Sequence, residues 1–191
     1  TLFPYTTLFR SQVNKEVLLN LEKEIFKGNL LDIGFSNHGI IYNIYKEYID
    51  DSSSVDYVEG KAEKELIENG VYDTCALFFT LSDIKLTYNK RKLIQDIYKY
   101  LKVDGMLYIW DIDKGIAKTF NKEIKIVLPD KSTKQIHLKD LNILKNSSKD
   151  NTMRILEPYF KVLTLKNSDN VYYMICKKKG KSKDESNANR H

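Results

Sequence analysis

Leu101-Lys102-Val103-Asp104-Gly105-Met106-Leu107-Tyr108-Ile109-Trp110-Asp111-Ile112 is a polar turn that runs straight into an apolar strand. Lys102 to Gly105 turns the chain, and Met106 to Ile112 is apolar enough to be covered on both faces of a sheet. Upstream, Leu93, Ile94, Ile97, Tyr98 and Leu101 recur at helical spacing, which predicts a helix over Asn89 to Leu101. Asp73 to Leu81 is a second, nearly continuous apolar run and predicts a central strand. Further out, Leu30 to Ile33 is a short strand entering a loop at Gly34. Gly39 to Ile49 is an amphipathic helix carrying Ile40, Ile41, Ile44, Tyr45 and Tyr48. Val55 to Val58 is another strand, and Ala62 to Asn69 a brief helix stopped by Gly70. At the amino end, Val13, Val17, Leu18, Leu21, Ile25 and Phe26 predict a helix over Gln12 to Lys27, stopped by Gly28.

Downstream of Asp113 the pattern changes. Ile124, Ile126 and Leu128 alternate, Pro129 to Ser132 turns, and Ile136 and Leu138 alternate again, which predicts a β-hairpin at about 122–140. Asn151 to Phe160 reads as a last helix. Val162 to Leu165 and Val171 to Cys176 then form an antiparallel finish around Asn167-Ser168-Asp169-Asn170. Strands alternating with helices predict an α/β fold: a three-layer αβα sandwich with a mostly parallel sheet and an antiparallel last strand. About six strands plus the inserted hairpin are expected.

Thr1 to Ser11 reads as the in-frame translation of a sequencing adapter and is set aside. Residues 12–179 are expected to make one domain and 180–191 a disordered basic tail. The net charge of +5 does not mark a nucleic-acid surface. Arg10 lies in the set-aside segment, and Lys177 to His191 holds six Lys/Arg against two Asp/Glu, so residues 12–176 are neutral. No run of about 18 apolar residues is present to span a membrane. The two cysteines, Cys75 and Cys176, sit in apolar strands and suggest a reducing, cytoplasmic setting. The Lys-, Ile- and Asn-rich composition fits a low-GC bacterial genome.

Several segments in order resemble the class I S-adenosylmethionine-dependent methyltransferases. Asp32-Ile33-Gly34 resembles that family's first motif, an acid two residues before a glycine at the end of strand one. Tyr72-Asp73-Thr74-Cys75 with Phe79-Thr80-Leu81-Ser82 resembles the fourth-strand motif, and Leu101 to Ile109 the turn into strand five. Leu156-Glu157-Pro158-Tyr159-Phe160-Lys161-Val162 resembles the closing helix-to-strand turn. The resemblance covers about Gln12 to Lys179 and implies a Rossmann-like sandwich, S-adenosyl-L-methionine as cofactor and methyl transfer to a small-molecule acceptor. It implies cofactor contacts from Asp32, Gly34, Ser36, Glu59, Lys61, Ala62, Phe79 and Thr80 and names no catalytic residue. The sequence departs from the family where Ser36 and His38 hold glycine positions of the loop, with Gly39 one residue late. It is also short by about one strand-helix unit before Asp73. These departures motivate a second reading, a binding or scaffold protein that keeps the fold without the chemistry.

Asp32 and Glu59 are acceptors suited to the cofactor's ammonium and ribose diol. Plainer readings stand beside them: Asp32 as a capping acid, Glu59 as a solvated loop charge. Val55 to Val58 takes the place of strand two by chain order, with Glu59 toward the ribose. By local pattern, Glu59 to Glu63 resembles the turn after strand three, toward adenine. His38 is either a base or a helix-start residue making local bonds. Asp111 and Asp113 flank Ile112 and are either a shared acceptor or metal pair or turn caps. Thr80, Ser82 and Asp83 are placed to line the cleft, and the hairpin is expected to lid it.

Overall fold

The computed structural model describes residues 16–22, 26–35, 39–47, 53–59 and 67–180. Its elements are β1 (Val17–Asn20), β2 (Leu30–Gly34), α1 (Ile40–Lys46), β3 (Val55–Glu59), β4 (Tyr72–Phe78), α2 (Thr87–Tyr100), β5 (Leu101–Ile112), β6 (Phe120–Val127), β7 (Thr133–Asp140), α3 (Lys149–Leu156), β8 (Phe160–Ser168) and β9 (Val171–Lys178). The expected adapter segment, His38, Ser36, Lys61, Ala62, the brief helix over 62–66 and the tail from residue 181 lie outside the described residues.

Six strands form the main sheet in the order β3-β2-β4-β5-β9-β8. The first four are mutually parallel, and β9 and β8 complete the sheet as an antiparallel pair. The apolar runs account for this: β2 is buried at every residue and β4 nearly so, as strands covered on both faces must be. β3 pairs with β2 along its whole length, so it occupies the strand-two position, with Glu59 opposite Gly34. β5 starts earlier than expected. Leu101 already pairs with Tyr72, and Lys102 to Gly105 bulges out before Met106 rejoins opposite Thr74. Asp104 takes a left-handed φ of 63° in that bulge, and Lys102 Nζ reaches Asp73 at 2.8 Å. Gly28 is needed for its φ of 72° and for close approach: a Cβ there would stand 2.3 Å from Asp73 Oδ2.

One face of the sheet is covered by α2 and α3, whose Leu93, Ile94, Ile97, Ile155 and Leu156 pack on Leu77, Ile109 and Met174. The other is covered by α1 and a small sheet of order β1-β6-β7. That small sheet corrects two expectations. Residues 17–20 form a strand and not a helix: β1 pairs in parallel with β6, Val17 opposite Ile124. Val17 and Leu21 are buried and Leu18 is exposed, because pairing with an otherwise open strand edge outweighs local helical periodicity. The hairpin β6-β7 is not a lid. Ile124 and Ile126 are fully buried beside Phe78, Trp110 and Ile112, so the hairpin is a core layer. No helix among the described residues is long and apolar enough to cross a membrane.

β8 and β9 join through Asp169 and Asn170, both left-handed at φ 52° and 63°. A two-residue loop of that kind matches the twist of its strands, and Asp and Asn tolerate it. Asn170→Val, which adds a β-branch at positive φ, is expected to cost about 1–2 kcal/mol. Asn170→Gly is expected to stay within about 0.5 kcal/mol of wild type. Urea unfolding of both variants checks this.

Candidate active site

The chain leaves β2 toward β3 on one side and returns to β4 on the other. Strand order therefore reverses between β2 and β4, and the crevice beyond their carboxyl ends is where open α/β sheets hold ligands. A cavity of about 380 Å³ opens there. Phe35, one residue beyond β2, forms one wall. Asp83, Ile84, Lys85, Leu86, Asn89 and Leu93, running from the turn after β4 into α2, form the other.

Asp32 lies beneath this point and is fully buried. Helix α1 begins at Gly39, which has no side chain to cap it. Asp32 supplies the missing cap: its Oδ2 accepts the Tyr42 N–H at 2.9 Å. Its Oδ1 is buried without a hydrogen-bond partner among the described residues. Burial pushes the carboxyl up to about 7 against the Tyr42 hydrogen bond. Glu59, in contrast, stands exposed at the end of β3 beside Gly34, where its oxygens face water at the rim.

β4 ends in a bent turn. Phe79 holds a φ of 55°, unusual for a ring-bearing residue. Its N–H donates to Trp110 O at 2.7 Å, and its ring meets Phe78 edge-on at 4.9 Å. Thr80 is fully buried, and its Oγ1 donates to Ile33 O at 2.7 Å, tying the turn after β4 to the end of β2. Phe79 and Thr80 therefore shape the floor. Of the residues expected to line the cleft, Asp83 does so, whereas Thr80 and Ser82 are buried.

Asp111 and Asp113 do not form a shared pair. Asp111 is fully buried and accepts the Ser82 N–H at 3.0 Å and the Ile112 N–H at 2.8 Å; burial still pushes it up to about 6. Asp113 turns the other way, to Lys149 Nζ at 3.1 Å and Asn167 Nδ2 at 2.7 Å. His137 lies far along the hairpin, half-exposed, against Glu123.

The sequence gave no sign of a lysine lattice at this edge. Lys90 Nζ donates to Asn146 O at 2.9 Å, and Lys114 Nζ to Asn142 O at 2.6 Å and Lys145 O at 3.0 Å. Lys145 Nζ reaches Ser82 O at 2.5 Å and Asp140 at 2.8 Å. Segment 141–148 is thus strapped across the carboxyl edge by ammonium-to-carbonyl bonds. Its Leu144 points outward at 81% exposure. Lysines interleaved with apolar residues read as a solvated surface, so only the fold could reveal the three as buried or nearly so.

No protein-family model matches this sequence. No curated protein matches it either. Solved structures do match in fold. A methyltransferase from Aquifex aeolicus described as S-adenosylmethionine-dependent superposes with a TM-score of 0.54 at 12% identity, over 80% of this chain and 82% of that one. An amino pentose methyltransferase from Micromonospora echinaspora, solved with S-adenosylmethionine bound, gives 0.54 at 9% identity, over 80% and 84%. An S-adenosylmethionine-dependent methyltransferase from Mesorhizobium loti gives 0.52 at 8% identity, over 78% and 90%. With its four parallel strands, antiparallel finish and reversal point between β2 and β4, this chain has the class I S-adenosylmethionine-dependent methyltransferase fold.

Proposed function

We propose that the protein is an S-adenosylmethionine-dependent methyltransferase acting on a small-molecule acceptor. The observation that carries this reading is the cavity at the reversal point, walled by Phe35 on the β2 side and by Asp83 to Leu93 on the β4 side.

The residues present fit the cofactor. Phe35, Ile84 and Leu86 offer apolar walls for a planar base, and exposed Glu59 offers two acceptor oxygens for a ribose diol. The unpartnered Oδ1 of Asp32 leaves one buried acceptor directed at donors of the loop or ligand. When bound, the cofactor supplies an electrophilic methyl group on a sulfonium centre. An in-line displacement of that kind is accelerated chiefly by holding the reactants in line. The chain's own part is therefore positional. Asp32 holds α1 against β2, Thr80 ties the two strand ends together, and Lys145 and Lys90 hold segment 141–148 over the edge. The exposed apolar side chains of Leu86 and Leu144 suit a small acceptor with an apolar body.

Isothermal titration with S-adenosylmethionine and S-adenosylhomocysteine tests the reading. Micromolar binding of both is expected. Gly34→Val should abolish it, because a branched side chain would fill the approach to the cavity. Glu59→Gln should weaken it about tenfold, the order expected for a charge-assisted hydrogen bond. No binding of either ligand at millimolar concentration would overturn the proposal and leave the fold as a scaffold.

A further inference from the structure

We propose a second ligand site, for a planar aromatic carboxylate, on the sheet face away from the candidate active site. The cavity there holds about 230 Å³ and lies between β1 (Val17 to Asn20) and the β8–β9 hairpin. It shares no lining residue with the cavity at the reversal point.

Three rings make its platform. Tyr108 and Trp110 project from the same face of β5, with ring planes 18° apart. Tyr173 sits directly opposite Trp110 on β9 and stacks on it at 4.8 Å between centroids, planes 22° apart. Trp110 is buried, whereas Tyr173 is only half-buried, so the stack ends in a ring with an accessible flank. Offset stacking on such a ring favours a flat π-system over a saturated ring of equal size.

The charge at the rim selects the other half of the ligand. Lys166 is opposite Tyr173 on β8 and lines the cavity. Its ammonium has no hydrogen bond or ion pair among the described residues. The neighbouring polar groups are committed: Asn167 Nδ2 donates to Asp113 at 2.7 Å, and Ser168 Oγ donates to Asp169 Oδ2 at 2.9 Å. Lys122 Nζ is bound to the Asp169 carbonyl at 2.6 Å. Lys166 is thus the cation left to meet an anion, and Lys122 with Lys166 outweighs Asp169 in local charge. A cavity of this size takes one or two fused rings bearing a carboxylate. It does not take a nucleotide.

Trp110 is the chain's single tryptophan, so its indole N–H gives one cross-peak in a nitrogen-15 correlation spectrum of the full chain. Benzoate, cyclohexanecarboxylate and benzyl alcohol are titrated in parallel against that peak. Benzoate is expected to shift it saturably, with a Kd at least tenfold lower than either of the others. Tyr173→Leu, which keeps apolar bulk and loses the ring, should raise the benzoate Kd at least tenfold. Lys166→Gln, at an exposed position where folding is not at stake, should raise it at least fivefold. A shift that never saturates, or a benzyl alcohol affinity equal to that of benzoate, overturns the proposal. So does a benzoate Kd unchanged in Lys166→Gln, whether or not Tyr173→Leu folds.

Discussion

Asp32→Asn is expected to match the wild-type stability at pH 4 and to exceed it by roughly 4 kcal/mol at pH 8. Asp32 is fully buried, and burial lifts its carboxyl from 3.8 to about 7. The folded state therefore holds a proton that the unfolded chain gives up near pH 4. Stability from the protonated acid is fully present below that pH and is lost as pH rises through about 7. At about 1.4 kcal/mol per pH unit, the displacement comes to the figure above. Asparagine cannot ionise, keeps an oxygen for the Tyr42 N–H, and places an amide where Oδ1 has no partner. The measurement is the difference in urea unfolding free energy between variant and wild type from pH 4 to 8. A difference flat with pH would mean that Asp32 ionises normally. At pH 8 the same variant should bind S-adenosylhomocysteine more weakly than wild type if Oδ1 serves the ligand. A protein made more stable and less able to bind would mark Asp32 as held under strain for function.

The sequence already carried both ideas about Asp32, as capping acid and as cofactor acceptor, and the geometry divides them between the two oxygens. The main sheet was legible because β2, β4 and β5 are buried on both faces and leave continuous apolar runs. The place of β3 was legible only as two alternatives, since local pattern says nothing about neighbours; its pairing with β2 decides for the strand-two position. Segment 17–21 was misread because Val17, Leu18 and Leu21 satisfy a helical repeat as well as a strand's alternation. Its true partner, β6, lies over a hundred residues away. The cavity wall from Asp83 to Leu93 was seen only in part. Leu93 reads as ordinary helix core, and Leu86 as a loop residue, until the reversal of strand order brings Phe35 opposite them.

Ile124→Ala is expected to cost about 2–5 kcal/mol, the range for truncating a fully buried aliphatic side chain. In a chain of this size that lowers Tm by roughly 5–15 °C. The prediction separates two roles for the hairpin. A lid over a cleft keeps its inner face wet when open, and truncating one side chain there costs at most about 0.5 kcal/mol. A core layer has no such freedom. Ile124 packs beneath β1 and against the face that carries Phe78, Trp110 and Ile112, and it pairs with Val17 and Ile136 on either side. Its loss also loosens β1, which is held to the hairpin by pairing with β6 alone. Ile116→Ala, at a residue 61% exposed, is the control and should change stability by less than about 0.5 kcal/mol. Because the hairpin covers the face opposite α2, S-adenosylhomocysteine affinity below the melting transition should be the same in both variants. A stability loss confined to Ile124→Ala with unchanged affinity places the hairpin in the scaffold. Weakened binding with unchanged Tm would return it to the cleft.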